Sequence, residues 1–220
     1  ELRARVGTDV IGTAGSDRWV NVYPNAGDGV DETVHTQQSF ALAAGTHRFY
    51  LSVERFSGSG TMLLYDPSLT VLVVPQASAA LCAAQSSTSY RNDSTLFTAM
   101  RTCAMYLPQP ARALVYGSTA FGLDSIGTGD PYEVQARIGI DAADGSDRTD
   151  RWLNVDLDGG DGTDRCLVDH HAVDLDAGVH TVSLVARRYS GPGALNAFSP
   201  TLHVLLLAPD RIFAASFEGP

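Results

Sequence analysis

The chain has 220 residues and a mass of 23.3 kDa, with 44% hydrophobic residues and a formal charge of −10 at pH 7. That apolar share can build a core, which excludes an overall disordered chain. The acidic balance, with a sequence pI near 4.8, repels phosphate backbones and anionic lipid and sets nucleic acid aside as a partner; no apolar run approaches the ~20 residues that span a bilayer.

Read from Glu1, which is neither an initiator Met nor the start of a signal peptide, the chain soon meets its own copy. Residues 1–9, ELRARVGTD, match residues 133–141, EVQARIGID, at an offset of 132. After one inserted residue the offset is 133, and 20 of the 55 pairs between 19–73 and 152–206 are identical. Trp19-Val20-Asn21-Val22 falls on Trp152-Leu153-Asn154-Val155, each Trp preceded by Asp-Arg, and Pro67-Ser68-Leu69 falls on Pro200-Thr201-Leu202. The chain is a tandem duplication.

The two copies start unequally. Residues 1–75 form a first repeat with nothing ahead of Glu1, whereas the second repeat, 88–209, carries Thr88–Tyr132 before its matching part. The first repeat therefore lacks N-terminal strands, which were either lost or left unread upstream or come from another molecule. Residues 76–87 read as a connector, and a short helix over 76–86 is the lesser alternative.

In the second repeat, short runs rich in Val, Leu, Thr and aromatics, punctuated by Gly, Asp and Pro, predict strands near 95–107, 111–117, 132–141, 151–157, 166–175, 179–188 and 201–208. No stretch sustains helical spacing with capping signals. The expected class is all-β: two tandem antiparallel β-sandwich repeats of jelly-roll type, the first incomplete.

The run LDAGVHTVSLVARR followed by PTLHVLLL resembles the last strands of C1q/TNF-like jelly-roll domains. That resemblance implies a secreted, oligomer-forming protein, here bacterial, and assigns no functional residue. The tail Ile212-Phe213-Ala214-Ala215-Ser216-Phe217-Glu218 resembles the short C-terminal ends of some secreted gammaproteobacterial proteins.

Eight Asp residues crowd 141–164. Asp156, Asp158, Asp161 and Asp164, interleaved with glycines, supply the oxygens a Ca²⁺ ion takes, and Asp28 and Asp31 are the weaker counterpart in the first repeat. The competing reading is that Asp and Gly simply make good turns. Cys82 and Cys103 would close a 21-residue loop as a disulfide in an oxidising compartment, with Cys166 left over; in a reducing cytosol all three are thiols.

His170 and His171 point to opposite faces of a strand and cannot chelate one ion as neighbours, and a solvated strand face is expected. His47 and His180 hold matched positions, which suggests a structural bond to a loop carbonyl. Trp19 and Trp152 are expected in a core, with sugar stacking as the other use.

No nucleophile elbow, metalloprotease motif or phosphate loop is present, so no enzymatic activity is expected. The reading is a non-enzymatic extracellular or cell-surface structural protein, a fibre or filament subunit. It would polymerise head-to-tail with itself by strand complementation or sandwich packing. Ile212, Phe213, Ala215 and Phe217 of the 210–220 tail are the expected donor residues. The alternative is a pair of carbohydrate-binding modules with glycans as partners, offering Trp19, Tyr23, Tyr65, Tyr90, Phe121 and Tyr189 as platforms.

Overall fold

Alternation with a period of two, not composition, decides this architecture. In a computed structural model of the chain, residues 2–10, 17–20, 33–59, 61, 63–74, 79–85, 90–92, 94–123, 132–142, 144, 149–155, 165–191 and 195–207 are described. Among them there are twelve β-strands and no α-helix, nor any helix long and apolar enough to cross a membrane.

The second repeat is an antiparallel sandwich. One sheet runs β10 (Arg165–Leu175), β7 (Ala111–Leu123), β12 (Leu195–Leu207), β4 (Ala79–Gln85), with β5 (Tyr90–Asn92) also paired to β12. The facing sheet runs β6 (Thr98–Leu107), β11 (Gly178–Ser190), β8 (Tyr132–Ile140), β9 (Arg151–Val155). Between them lies one core, with Val115 and Phe121 from β7, Leu202 and Val204 from β12, Ile138 from β8, and Val182 and Leu184 from β11, all fully buried. Strand β7 is the centre of its sheet: Val115 lies opposite both His171 of β10 and Val204 of β12.

Residues 76–87 were expected to be a connector. Residues 79–85 are instead strand β4, hydrogen-bonded to β12 from Thr201↔Gln85 to Leu207↔Ala79. The run of alanines carries little periodic signal, and the open edge of β12 supplies the pairing that propensity does not. Cys82 of β4 and Cys103 of β6 form the disulfide, which ties the two sheets together, while Cys166 of β10 stays out of it.

Among the described residues the first repeat forms one sheet. Strand β1 (Leu2–Thr8) sits between β2 (Arg18–Val20) and β3 (Phe49–Arg55). These match β8, β9 and β11 in position, order and register, since Val6 lies opposite Leu51 as Ile138 lies opposite Leu184. The segments matching β10 and β12, residues 33–42 and 63–74, form no strand.

Candidate assembly site

The duplicated backbone survives in detail. Asp9 and Asp141 both adopt left-handed φ, 59° and 57°, and so do Asp66 and Ser199 at 46° each. At both aspartates the carboxylate accepts from a following strand's N–H (Arg48, 3.0 Å; Thr181, 2.8 Å) and holds a histidine Nδ1 at 2.8 Å. Each histidine's Nε2 meets a loop carbonyl, Ala43 or Asp176, at 2.9 Å. This is the structural role that the matched histidines suggest. The bond to Asp raises both rings above the usual histidine value. Asp9 is lowered chiefly by His47 and Asp141 chiefly by the Thr181 amide.

Next to these turns, Asp17 accepts from Arg5 (Nη2, 3.0 Å), and Asp150 accepts from Arg137 (Nη2, 3.2 Å) in the same way. The tryptophans sit on the outer faces, against the core placement expected for them. Alternation turns Val20 and Leu153 inward and their Trp neighbours outward. Trp19 meets the edge of Phe56 at 4.4 Å and Trp152 that of Tyr189 at 4.6 Å, with Trp152 48% exposed. Of the other proposed platforms, Phe121 is a fully buried core residue and Tyr65 is exposed.

What differs is the company of the inward residues. Arg151 reaches Asp169, a fully buried carboxylate of β10, at 3.4 Å. Burial pushes that carboxyl up and Arg151 opposes the shift. For the matching Arg18 the sequence offers Thr36 at the position of Asp169, and the side chain crosses to the neighbouring repeat instead. Its Nη2 donates to Ser118 Oγ (2.9 Å) and Thr201 Oγ1 (2.8 Å) on the outer face of the β7–β12 sheet. Gln37 joins it on Thr201 at 3.1 Å.

Arg18 is fully buried there, and loss of water lowers its guanidinium to about 10. Burial and the nearby Arg18 likewise lower His203, to about 4. The first sheet thus rests by its β2 end on the second sandwich. The repeated Asp-Arg-Trp was the sequence signal for this residue, and its use across the repeats was not legible from it.

Part of the first repeat's apolar surface is open, although Ala4, Val6 and Val20 of its sheet are buried. Leu69 and Val71 match Leu202 and Val204 residue for residue, yet are 41% and 42% exposed where their counterparts are 0% exposed. Leu63, Leu64, Tyr65, Leu72 and Val73 are exposed beside them. A contiguous apolar strip of this kind marks an interaction surface in a soluble protein.

Of the other candidates, His170 is exposed, and Asp174 lies 3.7 Å from Arg112. No cluster of metal-binding side chains occurs among the described residues. Asp28, Asp31, Asp156, Asp158, Asp161 and Asp164, and the tail residues Ile212, Phe213, Ala215 and Phe217, lie outside the described residues. Asp141 and Asp150, the described members of the acidic run with assigned partners, serve a turn and an ion pair.

No family model and no curated protein matches the chain. Among solved structures it is similar to the VP2 subviral particle of infectious bursal disease virus. Identity there is 12% and the TM-score 0.37, over 59% of this chain and 33% of that one. The structure of the Gx strain of the same virus gives 12% identity and a TM-score of 0.33, over 67% of this chain and 39% of that one. The chain spans about a third of the length of VP2. Neither is a C1q/TNF-like domain; the all-β sandwich itself stands on the strands described above.

Proposed function

We propose that this chain is a non-enzymatic structural subunit that assembles with copies of itself outside the cell, into a fibre or filament. One observation carries the reading. The same Leu and Val, at matched positions of the duplication, are sealed in the second repeat and open to water in the first. Burying each such side chain is worth roughly 1.5–3 kcal/mol, so a strip of them favours association over solvation. The Cys82–Cys103 bridge supports an oxidising, extracellular compartment.

Repetition of a one-sided contact, with the open repeat of each subunit covered by the next, gives head-to-tail growth that does not close. Sedimentation with concentration and electron microscopy of the native protein test the reading. Filaments or a concentration-driven series of oligomers are expected, and a strict monomer at all concentrations would end it.

A further inference from the structure

The duplication places a cation differently on the outer faces of the two sheets. In the first repeat, one row across β2, β1 and β3 runs Trp19, Arg3, Glu54. The Arg3 guanidinium lies 5.1 Å from the centre of the Trp19 ring and pairs with the Glu54 carboxylate. Ring, cation and anion satisfy one another, and the row is closed.

The matching row across β9, β8 and β11 runs Trp152, Gln135, Arg187. Arginine has left the middle place and stands where the carboxylate stood. The buried Gln135 amide oxygen accepts from Arg187 Nε at 2.7 Å, which holds the guanidinium by one edge and leaves its Nη groups for other acceptors. Among the described residues no carboxylate pairs with Arg187, and the neighbouring Arg137 is already bonded to Asp150.

Aromatic rings frame this cation. Its guanidinium lies 4.6 Å from the centre of the Phe97 ring and 5.4 Å from that of Tyr189, which in turn meets Trp152. Tyr189 and Trp152 are both about half exposed. A cleft of about 360 Å³ opens beside Arg187, bordered by Leu96, Phe97, Arg137 and Asp144. Clefts that hold small ligands begin at roughly 300 Å³. A guanidinium fork takes a carboxylate through parallel N–H bonds, and open Trp and Tyr faces take the C–H face of a saturated ring.

We propose that this row binds a uronic-acid unit of a glycan. The sugar carboxylate takes on Arg187 the place that Glu54 takes on Arg3, and the sugar ring lies on Trp152 and Tyr189. An acidic peptide would supply the carboxylate but no rigid ring for the two aromatics. The charge of −10 repels densely anionic polymers, so the fitting glycan carries isolated acidic units. The site lies on the outer face of the second sandwich, apart from the open strip of residues 63–74.

Calorimetric titration of the full chain tests this. The probes are an oligosaccharide with one glucuronic acid and the same oligosaccharide with that carboxyl reduced to the alcohol. Binding should fall roughly tenfold or more on reduction of the sugar, and likewise in Arg187→Gln and in Trp152→Ala. Gln135→Arg combined with Arg187→Glu rebuilds the closed row of the first repeat and should abolish binding at an unchanged melting temperature.

Equal affinity for the reduced sugar, an arm that needs no variant, would overturn carboxylate recognition. An aspartate-bearing tripeptide that binds as tightly as the sugar would overturn the glycan. Full binding by the double variant would put the ligand elsewhere, and no binding of the acidic sugar at millimolar concentration would sink the site. None of these results touches self-assembly, which sedimentation of the same chain reads separately.

Discussion

The two repeats are the same sheet in two situations. Each has a three-strand order of β9-β8-β11 type, a left-handed Asp, an Asp–His bond and a Trp met edge-on by a ring. In the second repeat that sheet faces another, and the segments 165–175 and 195–207 are strands. In the first, the matching segments 33–42 and 63–74 form none. The difference cannot lie in local preference, because 63–74 keeps Leu69 and Val71 and even the left-handed residue before its proline, Asp66. It lies in the pairing: β12 runs beside β7, whereas no strand among the described residues runs beside 63–74. Strand propensity here is a preference for a paired, half-buried surface, and it is realised only where β7 supplies the pairing.

The largest expected effect breaks this comparison with one residue type. Leu202→Ala removes a fully buried side chain from a packed core and should cost about 2–5 kcal/mol in urea unfolding. Leu69→Ala, the matched change on an open segment, should stay within about 0.5 kcal/mol in the unassembled chain. Equal costs would mean that the first repeat has a closed core after all.

Next comes the bridge that only the second repeat possesses. Cys82 and Cys103 are 21 residues apart and join opposite sheets. Reduction, or Cys103→Ala, should cost about 3 kcal/mol by removing loop-closure constraint from the unfolded chain. Hydrogen exchange should rise throughout β4, β6 and β12, with β1–β3 left nearly unchanged. Rapid exchange spreading equally into β1–β3 would show that the repeats unfold as one unit.

Arg18 is the joint between the two situations. Arg18→Ala removes the hydrogen bonds of a buried cation to Ser118 and Thr201 across the repeats, each worth about 1.5–3 kcal/mol to such a group, and the one to the Asp17 carbonyl. Because that cation also loses its desolvation cost, a net loss of about 2 kcal/mol is expected, read as faster proteolysis within 1–74. Arg151→Ala, which leaves Asp169 buried without its cation, should instead destabilise the second sandwich. If both substitutions damage the same repeat, the division of labour between these arginines is wrong.

Much of the fold was legible because alternation and duplication are signals of the chain itself. The strands from β6 to β12 fall where Val-, Leu- and Thr-rich runs stand between Gly and Asp turns. The matching of β1, β2 and β3 to β8, β9 and β11 follows from simple alignment. What escaped was whatever depends on a partner. β4, in an alanine run, takes its strand state from the edge of β12. Trp19 and Trp152 point outward because their neighbours Val20 and Leu153 take the inward places. Arg18 crosses to Ser118 and Thr201 because Thr36 stands where Asp169 stands in the other copy. Size and hydrophobicity place a residue near a core; only the facing element decides which side it takes.

The smallest effect concerns what the repeats share. His47 and His180 are raised by their Asp partners, so their contribution is full below the unfolded histidine value near 6.5 and is lost as pH rises through the raised folded value. Asp9 and Asp141 are lowered, so their contribution is present above the unfolded carboxyl value of 3.8 and is lost only as pH falls through the lowered one. The staple is therefore strongest between about pH 4 and 6.5 and weakens on going to pH 8. All four groups lie near the surface, where solvent screens the pair, so the change should be small. Asp9→Asn and Asp141→Asn remove the charge while tolerating the left-handed backbone, and each should flatten the pH dependence at its own turn. The readout is exchange of the Arg48 and Thr181 amides, which donate to these carboxylates. Both amides should loosen together between pH 5.5 and 8, after correction for intrinsic exchange, because neither staple depends on a facing sheet. Loosening at Arg48 alone would show that this local device depends on a facing sheet, which the described residues of the first repeat do not form.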